Sequence, residues 1–452
     1  MTEQQLYPQH LPNLRGYRDA IQQATLVRRH GRITQVVGQI IQANNPGTSI
    51  GSLCTIYNPD TSQRVHAEVV GFKGNTVLLM ALGQMPDIGP NCRIIPEYRP
   101  PVVKVGDDLL GRTIDGLGHP IDGKGELPLP HEMPLYAESI NPMQRRRILE
   151  PVDVGIRAIN GLLTVGQGQR VGIMSGSGVG KSVLMGMMAR HTTADINVIA
   201  LVGERGREVL EFIERDLGPE GLARTVVVVA TSDKPPLIRT RAAYLATTIA
   251  EYFRDQGKQV LLMMDSVTRF AMAQREIGLS AGEPPTTKGY PPSVFAALPR
   301  LLERAGMSRG KGSITAFYTV LVEGDDPNEP IADAVRSVVD GHILLSRELA
   351  SRGQYPAIDV LGSTSRVMSD VVNAQHRRDA MSFVSTLATY REAEDLINIG
   401  AYVRGSNPRI DYALSKIDSI IDYLKQPIES AAPLGEAEAM LQQMFADIQP
   451  HH

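Results

Sequence analysis

The glycine-rich stretch SGSGVGKS, at residues 175–182, constrains the fold of this chain more than any other feature. A strand-like run, QRVGIM, precedes it and a helix-like run follows, which is the context in which such a loop binds phosphate. Gly176, Gly178 and Gly180 allow the backbone to wrap around an anion, and the following helix adds a partial positive charge at its N-terminus. The stretch therefore predicts a nucleotide-binding loop, with Ser175 in place of the usual first glycine.

Two side chains of this loop have expected roles of their own. Lys181 is expected to reach the β- and γ-phosphates, and the Ser182 hydroxyl to ligate Mg²⁺. The residues that we predict to hold the nucleotide here are Gly176, Ser177, Gly178, Val179, Gly180, Lys181, Ser182 and Val183. A phosphate loop binds nucleotide, but hydrolysis requires further groups.

Two acidic residues follow apolar, strand-like runs. Asp265 ends the run QVLLMMD, where a carboxylate could hold the water shell of a metal ion or simply cap a helix. Glu204 follows the run INVIALVG, where a carboxylate could orient or deprotonate an attacking water, or only form a surface salt bridge. The phosphate loop shortly before it favours the hydrolytic role for Glu204.

The pattern of apolar residues changes twice along the chain. Residues 31–95 contain short β-rich runs separated by turn residues, which predict a small barrel. Between about residues 148 and 366, continuously apolar runs alternate with amphipathic segments, which indicates an α/β domain around a mainly parallel sheet. Beyond residue 373 the apolar spacing is helical. We predict four regions, at residues 1–30, 31–97, 98–372 and 373–452.

Two connecting segments lack any clear period. The segment RPPVV, at residues 99–103, is expected to be a linker. The glycine-rich segment GRTIDGLGHPIDGKGELP that follows is expected to be looped, because its glycines permit tight turns. A loosely amphipathic pattern at residues 12–29 predicts a short helix.

Composition excludes several classes of protein. The 452 residues have a formal net charge of −3, which gives no global attraction to nucleic acid or to anionic lipid. The two cysteines, Cys54 and Cys92, cannot form a tetrahedral zinc site alone, and we expect both to be reduced thiols. The chain has neither a signal-peptide pattern nor a long apolar run, so we expect a soluble, cytoplasmic protein.

Several longer blocks resemble one known family. GERGRE, GYPPSVFAALPRLLERAG, YTVLVEGDDPNEPIAD, DGHILLSREL and YPAIDVLGSTSR are similar to blocks in the catalytic subunits of rotary F-type and V-type ATPases. The chain most closely resembles the flagellar and type III secretion export ATPases, from about residue 30 to the helical end. The resemblance implies a RecA-like P-loop ATPase core of the α/β class, at residues 98–372, with a small N-terminal β-barrel and a C-terminal helical domain.

The resemblance also implies roles for particular positions. Lys181 and Ser182 match the phosphate and magnesium ligands of the family, Asp265 its Walker-B aspartate and Glu204 its catalytic glutamate. The noncatalytic subunits of F-type rings typically carry Gln at the position of Glu204, so this carboxylate favours hydrolysis.

Four further positions are implied only by the resemblance. Arg205 matches an arginine of the active-site network, and Arg366 matches the arginine finger that reaches into the neighbouring subunit. Tyr355 matches an aromatic residue that packs on adenine, and Tyr402 is a second candidate for that pocket.

The resemblance implies a homohexamer that uses ATP and Mg²⁺ to energise protein export through a flagellar type III secretion apparatus. The implied partners are a stator-like negative regulator at residues 1–30, a central-stalk coiled-coil protein, and export chaperones with their substrates. The ring is expected in the cytoplasm, peripheral to the inner-membrane export apparatus and contacting the export gate through other proteins. No nucleic-acid partner is expected.

Four alternatives remain open at this point. A virulence-type secretion ATPase shares the same motifs, and an ATP synthase β-type subunit shares the core. A Rho-like RNA translocase has a related ring, but it predicts a basic RNA-binding face rich in aromatic residues, whereas residues 31–95 offer Tyr57 and Phe72 among few cations. A nucleotide-binding ring component without catalysis is the fourth.

Overall fold

The structure is a computed structural model, and it describes Arg18 and residues 29–97, 99–322 and 329–446. The helix predicted at residues 12–29 and the regulator-binding segment at residues 1–30 therefore lie almost wholly outside the described residues. The described chain divides into two compact units: the N-terminal strands form one, and the chain from Arg99 onward, with Leu82–Gln84, forms the other.

The first unit is a closed barrel of six strands in the order β1-β2-β5-β4-β3-β6. Every neighbouring pair is antiparallel, and alternate side chains face a small apolar core that contains Ile41, Ile56 and Leu79. The predicted barrel is confirmed. Its strands are β1 Gly31–Val37, β2 Ile40–Asn44, β3 Leu53–Tyr57, β4 Arg64–Lys73, β5 Thr76–Ala81 and β6 Arg93–Pro96.

The second unit is built on a nine-stranded sheet. Its order is β19-β18-β12-β17-β15-β13-β14-β8, with β16 paired to β17. The strands are β8 Thr113–Asp115, β12 Arg170–Ser175, β13 Ile196–Val202, β14 Thr225–Ala230, β15 Gln259–Asp265, β16 Gly306–Met307, β17 Ser313–Leu321, β18 Gly341–Leu345 and β19 Ile358–Ser365. β16 and β19 pair antiparallel and the other pairs are parallel, so the predicted α/β class is confirmed.

Helices cover both faces of this sheet, which explains why strands such as β13 and β14 are buried along their whole length. Two short hairpin-like pairs lie outside the sheet, formed by β7 Val102–Val105 with β9 His131–Pro134 and by β10 Pro151–Val152 with β11 Val165–Gly166. The helices before the C-terminal region are α1 Arg157–Leu162, α2 Lys181–His191, α3 Gly206–Glu211, α4 Gly218–Ala223, α5 Pro236–Asp255, α6 Val267–Ser280, α7 Pro292–Leu302, α8 Pro330–Val338, α9 Arg347–Ser351 and α10 Met368–Val371. A π-helical turn, Phe212–Leu217, joins α3 to α4.

The C-terminal region is helical, as predicted. Its helices are α11 Ala374–Asn398, α12 Pro408–Leu424 and α13 Leu434–Met444. They pack on the core through Phe383, Tyr423 and Leu441, which join the apolar cluster under the sheet. Gly161 permits this close approach, because a Cβ there would lie 1.9 Å from the Tyr423 hydroxyl. No helix in the described part of the chain is long and apolar enough to span a bilayer.

Two segments predicted to be irregular contribute strands. Residues 102–105, expected to begin in a linker, form β7 and pair with β9. Within the glycine-rich segment, Thr113–Asp115 forms β8, which lies parallel to β14 at the sheet edge. A bidentate contact between Arg112 and Asp122 holds this segment in place, at 2.7 and 2.9 Å. Because β8 is only three residues long, it offers no period from which it could be predicted.

Candidate functional site

The glycine-rich loop joins strand β12 to helix α2 at the carboxyl end of the parallel strands. Gly178 and Gly180 have φ values of 77° and 88°, in the left-handed region that only glycine adopts freely. The loop residues line a cavity of about 440 Å³ that also includes Glu204, Arg205 and Arg269. Within residues 175–182, Ser175 and Val179 do not line the cavity: Ser175 is the buried last residue of β12, and the Val179 side chain lies in the apolar core. Backbone N–H groups and a helix N-terminus thus face an open, polar space, which suits a phosphate.

The order of the strands brings the two predicted carboxylates together. Asp265 ends β15 and pairs in parallel register with Leu201 of β13, and Glu204 follows β13. The ammonium of Lys181 contacts the Asp265 carboxylate and lies 3.9 Å from Glu204 Oε1. Lys181, Glu204 and Asp265, which are far apart in the sequence, therefore form one cluster beside the loop.

Glu204 has unusual electrostatics within this cluster. Burial and the neighbouring Asp265 carboxylate raise the pKa of Glu204 to about 7, although the Lys181 ammonium acts in the opposite direction. Its Oε1 atom is buried and accepts no hydrogen bond from the described residues. A carboxylate with a pKa near 7 and a free oxygen in a cavity is well placed to accept a proton.

The donor set fits a phosphorylated nucleotide. The cavity combines a glycine cradle, the Lys181 ammonium and the N-terminus of α2, all of which bind anionic oxygens. The Ser182 hydroxyl lines the same cavity, and Asp265 lies directly behind Lys181. A hydroxyl and a carboxylate are oxygen ligands, the kind that Mg²⁺ prefers.

Two of the positions implied by resemblance lie near the loop. Arg205 lines the cavity, and its guanidinium is 3.3 Å from Glu208. Tyr355 is 47% exposed and lies beside the loop, since a Cβ on Gly180 would be 3.6 Å from its ring. Tyr402 does not line the cavity: its hydroxyl donates to Asn407 O or Asp411 Oδ1, each at 3.0 Å. The participation of Tyr402 in adenine binding stays a prediction.

Arg366 lies at the other end of the sheet. Strands β12 and β18 are parallel. Ser175, the end of β12 that leads into the phosphate loop, pairs with Leu345 at the end of β18. Arg170, at the start of β12, accepts a hydrogen bond from the backbone N–H of Asp340, just before β18. The backbone N–H of Arg366 donates to Asp340 O at 3.0 Å. The length of β12, roughly 17 Å, thus separates Arg366 from the phosphate loop of its own chain.

Sequence reasoning missed several residues of the site. Arg269, in helix α6, lines the cavity, and its Nε is buried without a hydrogen-bond partner among the described residues. Two further residues line the cavity: Ser232, which follows strand β14, and Leu321, which ends strand β17. The signal for Arg269 was its place four residues after Asp265 in DSVTR, one helical turn from the predicted metal ligand.

Models of known protein families match three segments that together make up most of the chain. The beta-barrel domain of the ATP synthase alpha/beta family matches residues 33–97, and the nucleotide-binding domain of that family matches residues 155–365. The model described as T3SS EscN ATPase C-terminal domain matches residues 372–443.

Curated relatives match over almost their full length. The "Flagellum-specific ATP synthase" of Bacillus subtilis is 56% identical over 427 residues, which cover 94% of this chain and 97% of the relative. The "Type 3 secretion system ATPase" of Xanthomonas euvesicatoria is 53% identical over 402 residues, which cover 89% and 91%.

A solved structure has the same fold. The assembled ATPase EscN from the type III secretion system of enteropathogenic E. coli superposes with a TM-score of 0.86 at 46% identity, covering 92% of this chain and 99% of EscN. Its complex with the central stalk EscO gives a TM-score of 0.83. The barrel, the loop with its clustered carboxylates and these matches lead to one conclusion: this chain belongs to the ATP synthase alpha/beta family, in the group of the flagellum-specific ATP synthases and type III secretion ATPases.

Proposed function

We propose that this chain hydrolyses ATP with Mg²⁺ in a ring of six copies and thereby supports protein export through a flagellar type III secretion apparatus. The observation that carries the proposal is the cluster of Lys181, Glu204 and Asp265: Lys181 and Glu204 line the cavity beside the phosphate loop, and Asp265 contacts Lys181. A phosphate loop and a lysine are sufficient to bind nucleotide. Hydrolysis also requires a base, and the partly buried Glu204, whose Oε1 has no hydrogen-bond partner among the described residues, can serve as one.

In this proposal Lys181 leaves the Asp265 carboxylate and binds the β- and γ-phosphate oxygens, while the loop N–H groups fix the phosphates. Ser182 would ligate Mg²⁺ directly and Asp265 would hold it through its water shell, and the bound cation would supply positive charge against the charge that develops on the phosphate oxygens. Glu204 orients a water and accepts its proton as the water oxygen bonds to the γ-phosphorus. The bond from that phosphorus to the bridging oxygen breaks, and ADP and phosphate leave.

Arg366 gives the proposal its dependence on assembly. It lies one strand length from the loop of its own chain, so its guanidinium acts on the γ-phosphate of a neighbouring copy. The Arg205 guanidinium adds positive charge beside the phosphates, and the Tyr355 ring, which lies beside Gly180, packs on the adenine. The isolated chain is therefore weakly active.

The export role rests on the relatives. Flagellum-specific ATP synthases of several bacteria are similar along nearly their full length, which favours flagellar export. The assembled ATPase EscN and its complex with the central stalk EscO support our proposal of a ring that receives a coiled-coil stalk at its centre. We further propose that the ring lies in the cytoplasm beneath the inner membrane. Its proposed partners there are the stator-like regulator, the export chaperones with their substrates and, through other proteins, the export gate.

A virulence-type secretion ATPase is the second candidate function. The Xanthomonas type 3 secretion ATPase is 53% identical, and the C-terminal residues match a type III secretion model. The two candidates are separated by expression in a motile bacterium that lacks its flagellar export ATPase. Restored swimming supports the flagellar function, whereas restored secretion only in a virulence-system mutant supports the second.

Turnover measured against protein concentration tests the enzymatic proposal. We expect ATPase activity per subunit to rise as light scattering detects rings, and Glu204→Gln to abolish it while rings still form. Lys181→Ala is a second variant, which should also lose nucleotide binding. Activity that is independent of concentration, or retained in assembled Glu204→Gln, would contradict the proposal.

A further inference from the structure

Thr319 is buried in the middle of the sheet, on β17, and touches the carboxylate of Asp265 on the neighbouring strand β15. The two strands are parallel and pair Met264 with Tyr318 one position earlier. The Thr319 side chain is fully buried, and its Oγ1 lies 2.7 Å from Asp265 Oδ1 and 3.3 Å from Met264 O. A hydroxyl has one hydrogen, and the shorter contact to a charged acceptor is the stronger one.

Asp265 has two donors among the described residues, Lys181 and Thr319, and both contact the same oxygen, Oδ1. Oδ2 accepts no hydrogen bond from any described residue. Asp265 is 3% exposed, so its carboxylate depends on protein groups for its orientation. The two donors differ in mobility, because Lys181 has a long flexible side chain whereas Thr319 is fixed in a strand.

We infer that Thr319 is a positioning residue that holds Asp265 in its metal-binding orientation once Lys181 has moved to the phosphates. The inference rests on the proposed function, in which Lys181 exchanges the carboxylate for phosphate oxygens. In that state Thr319 is the remaining donor on Oδ1 among the described residues, and Oδ2 would be available to accept a hydrogen bond from a water of bound Mg²⁺. A neutral hydroxyl fixes the carboxylate without cancelling the charge that attracts the cation.

Thr315 offers a matched comparison on the same strand. It is also buried, at 3% exposed, but its hydroxyl accepts a hydrogen bond from the Gly168 N–H at 2.9 Å. Both threonines are β-branched residues in a central strand, where packing alone would favour them. The contact with Asp265 is what distinguishes Thr319.

The test compares Thr319→Val, Thr319→Ser and Thr315→Val in assembled rings. Turnover is measured as Mg²⁺ is titrated at fixed ATP, and binding of a fluorescent ATP analogue is measured with EDTA and with Mg²⁺. We expect Thr319→Val to lower kcat by about 10- to 100-fold and to raise the half-maximal Mg²⁺ concentration. Metal-free nucleotide binding should change little, Thr319→Ser should restore both values, and Thr315→Val should keep the wild-type Mg²⁺ dependence.

Each alternative outcome has a defined meaning. The inference would be overturned if Thr319→Val kept the wild-type kcat and Mg²⁺ dependence. It would also be overturned if a folded Thr319→Ser failed to restore these two values. Either result would leave the proposed function intact. An assembled wild-type ring without Mg²⁺-dependent turnover would instead refute the proposed function. Thermal unfolding shows whether each variant is folded. If Thr319→Val is not folded, Thr319→Ala takes its place with the same expected results.

Discussion

The carboxylates of Glu204 and Asp265 face each other across the ammonium of Lys181. Asp265 ends β15 and Glu204 follows the adjacent parallel strand β13, so the sheet itself sets their proximity. Burial and repulsion by the Asp265 carboxylate raise the pKa of Glu204, whereas Lys181 partly offsets the effect. The parallel order of the strands thus contributes to the protonation behaviour of the proposed base, because it places Asp265 beside Glu204.

The first prediction concerns the pH dependence of turnover. The pKa of Glu204 is raised to about 7, and a base must be ionised to accept a proton. We therefore expect kcat/KM at saturating Mg²⁺ to rise with pH through about 7 and to level off above it. Nucleotide binding over the same pH range is the control, since titration of ATP itself would change both. A flat profile between pH 6 and 8 would contradict this assignment.

The second prediction concerns stability without nucleotide. Because the pKa of Glu204 in the folded protein lies above its usual 4.5, the folded state binds this proton more tightly than the unfolded state. The free energy of unfolding should therefore fall as pH rises from about 4.5 to about 7. Glu204→Gln removes the penalty and should be more stable than wild type at pH 8 by on the order of 2 kcal/mol. Urea unfolding should show this difference vanishing near pH 4.5; equal stability at both pH values would contradict it.

The third prediction concerns the proposed contact between Tyr355 and adenine. Tyr355 is half exposed beside Gly180, in a position to stack on a base. Tyr355→Ala should raise the KM for ATP roughly 10-fold with little change in kcat, because stacking is similar in the ground state and the transition state. Tyr355→Phe is the matched control and should behave like wild type. A normal KM in Tyr355→Ala would remove Tyr355 from the binding site.

The fourth prediction concerns a buried ion pair behind the sheet. Arg304 is 1% exposed and binds the Glu251 carboxylate, with further hydrogen bonds to Leu135 O at 2.8 Å and Thr248 Oγ1 at 2.9 Å. Arg304→Leu leaves Glu251 buried without this partner and should lower the free energy of unfolding by about 3–5 kcal/mol.

The combined Arg304→Leu/Glu251→Leu variant should recover part of that loss, because it leaves neither charge alone. Ala substitution of the half-exposed Arg352 is the control and should change stability little. Urea unfolding measures all of these variants. A single Arg304→Leu variant as stable as wild type would contradict the account of this pair.

The location of residues marked by local sequence could be predicted, although their roles stay proposals. The glycines at residues 175–182 indicate the loop, Glu204 shortly follows an apolar strand-like run, and Asp265 ends another. Those patterns also predicted the barrel and the α/β class, because continuous apolar runs and short β-rich runs are visible without tertiary information.

Residues whose role depends on strand order could not be predicted. Thr319 touches Asp265 only because β17 lies next to β15, although β16 and two helices separate them in the sequence. Arg269 enters the cavity because α6 begins directly after β15, and its side chain then passes beside Gly203, where a Cβ would lie 2.7 Å from it. Apolar patterns indicate that a strand exists but leave its neighbours undetermined.

The most direct measurement mixes two inactive variants in one ring. The central claim is that Glu204 of one copy and Arg366 of the next act on the same γ-phosphate. Glu204→Gln and Arg366→Ala should each form rings with turnover lowered about 1,000-fold or more. In mixed rings, some interfaces pair an intact Glu204 with an intact Arg366, and turnover should recover with the mixing ratio. Mixed rings that form but stay inactive, or an assembled Arg366→Ala ring with wild-type turnover, would contradict the claim.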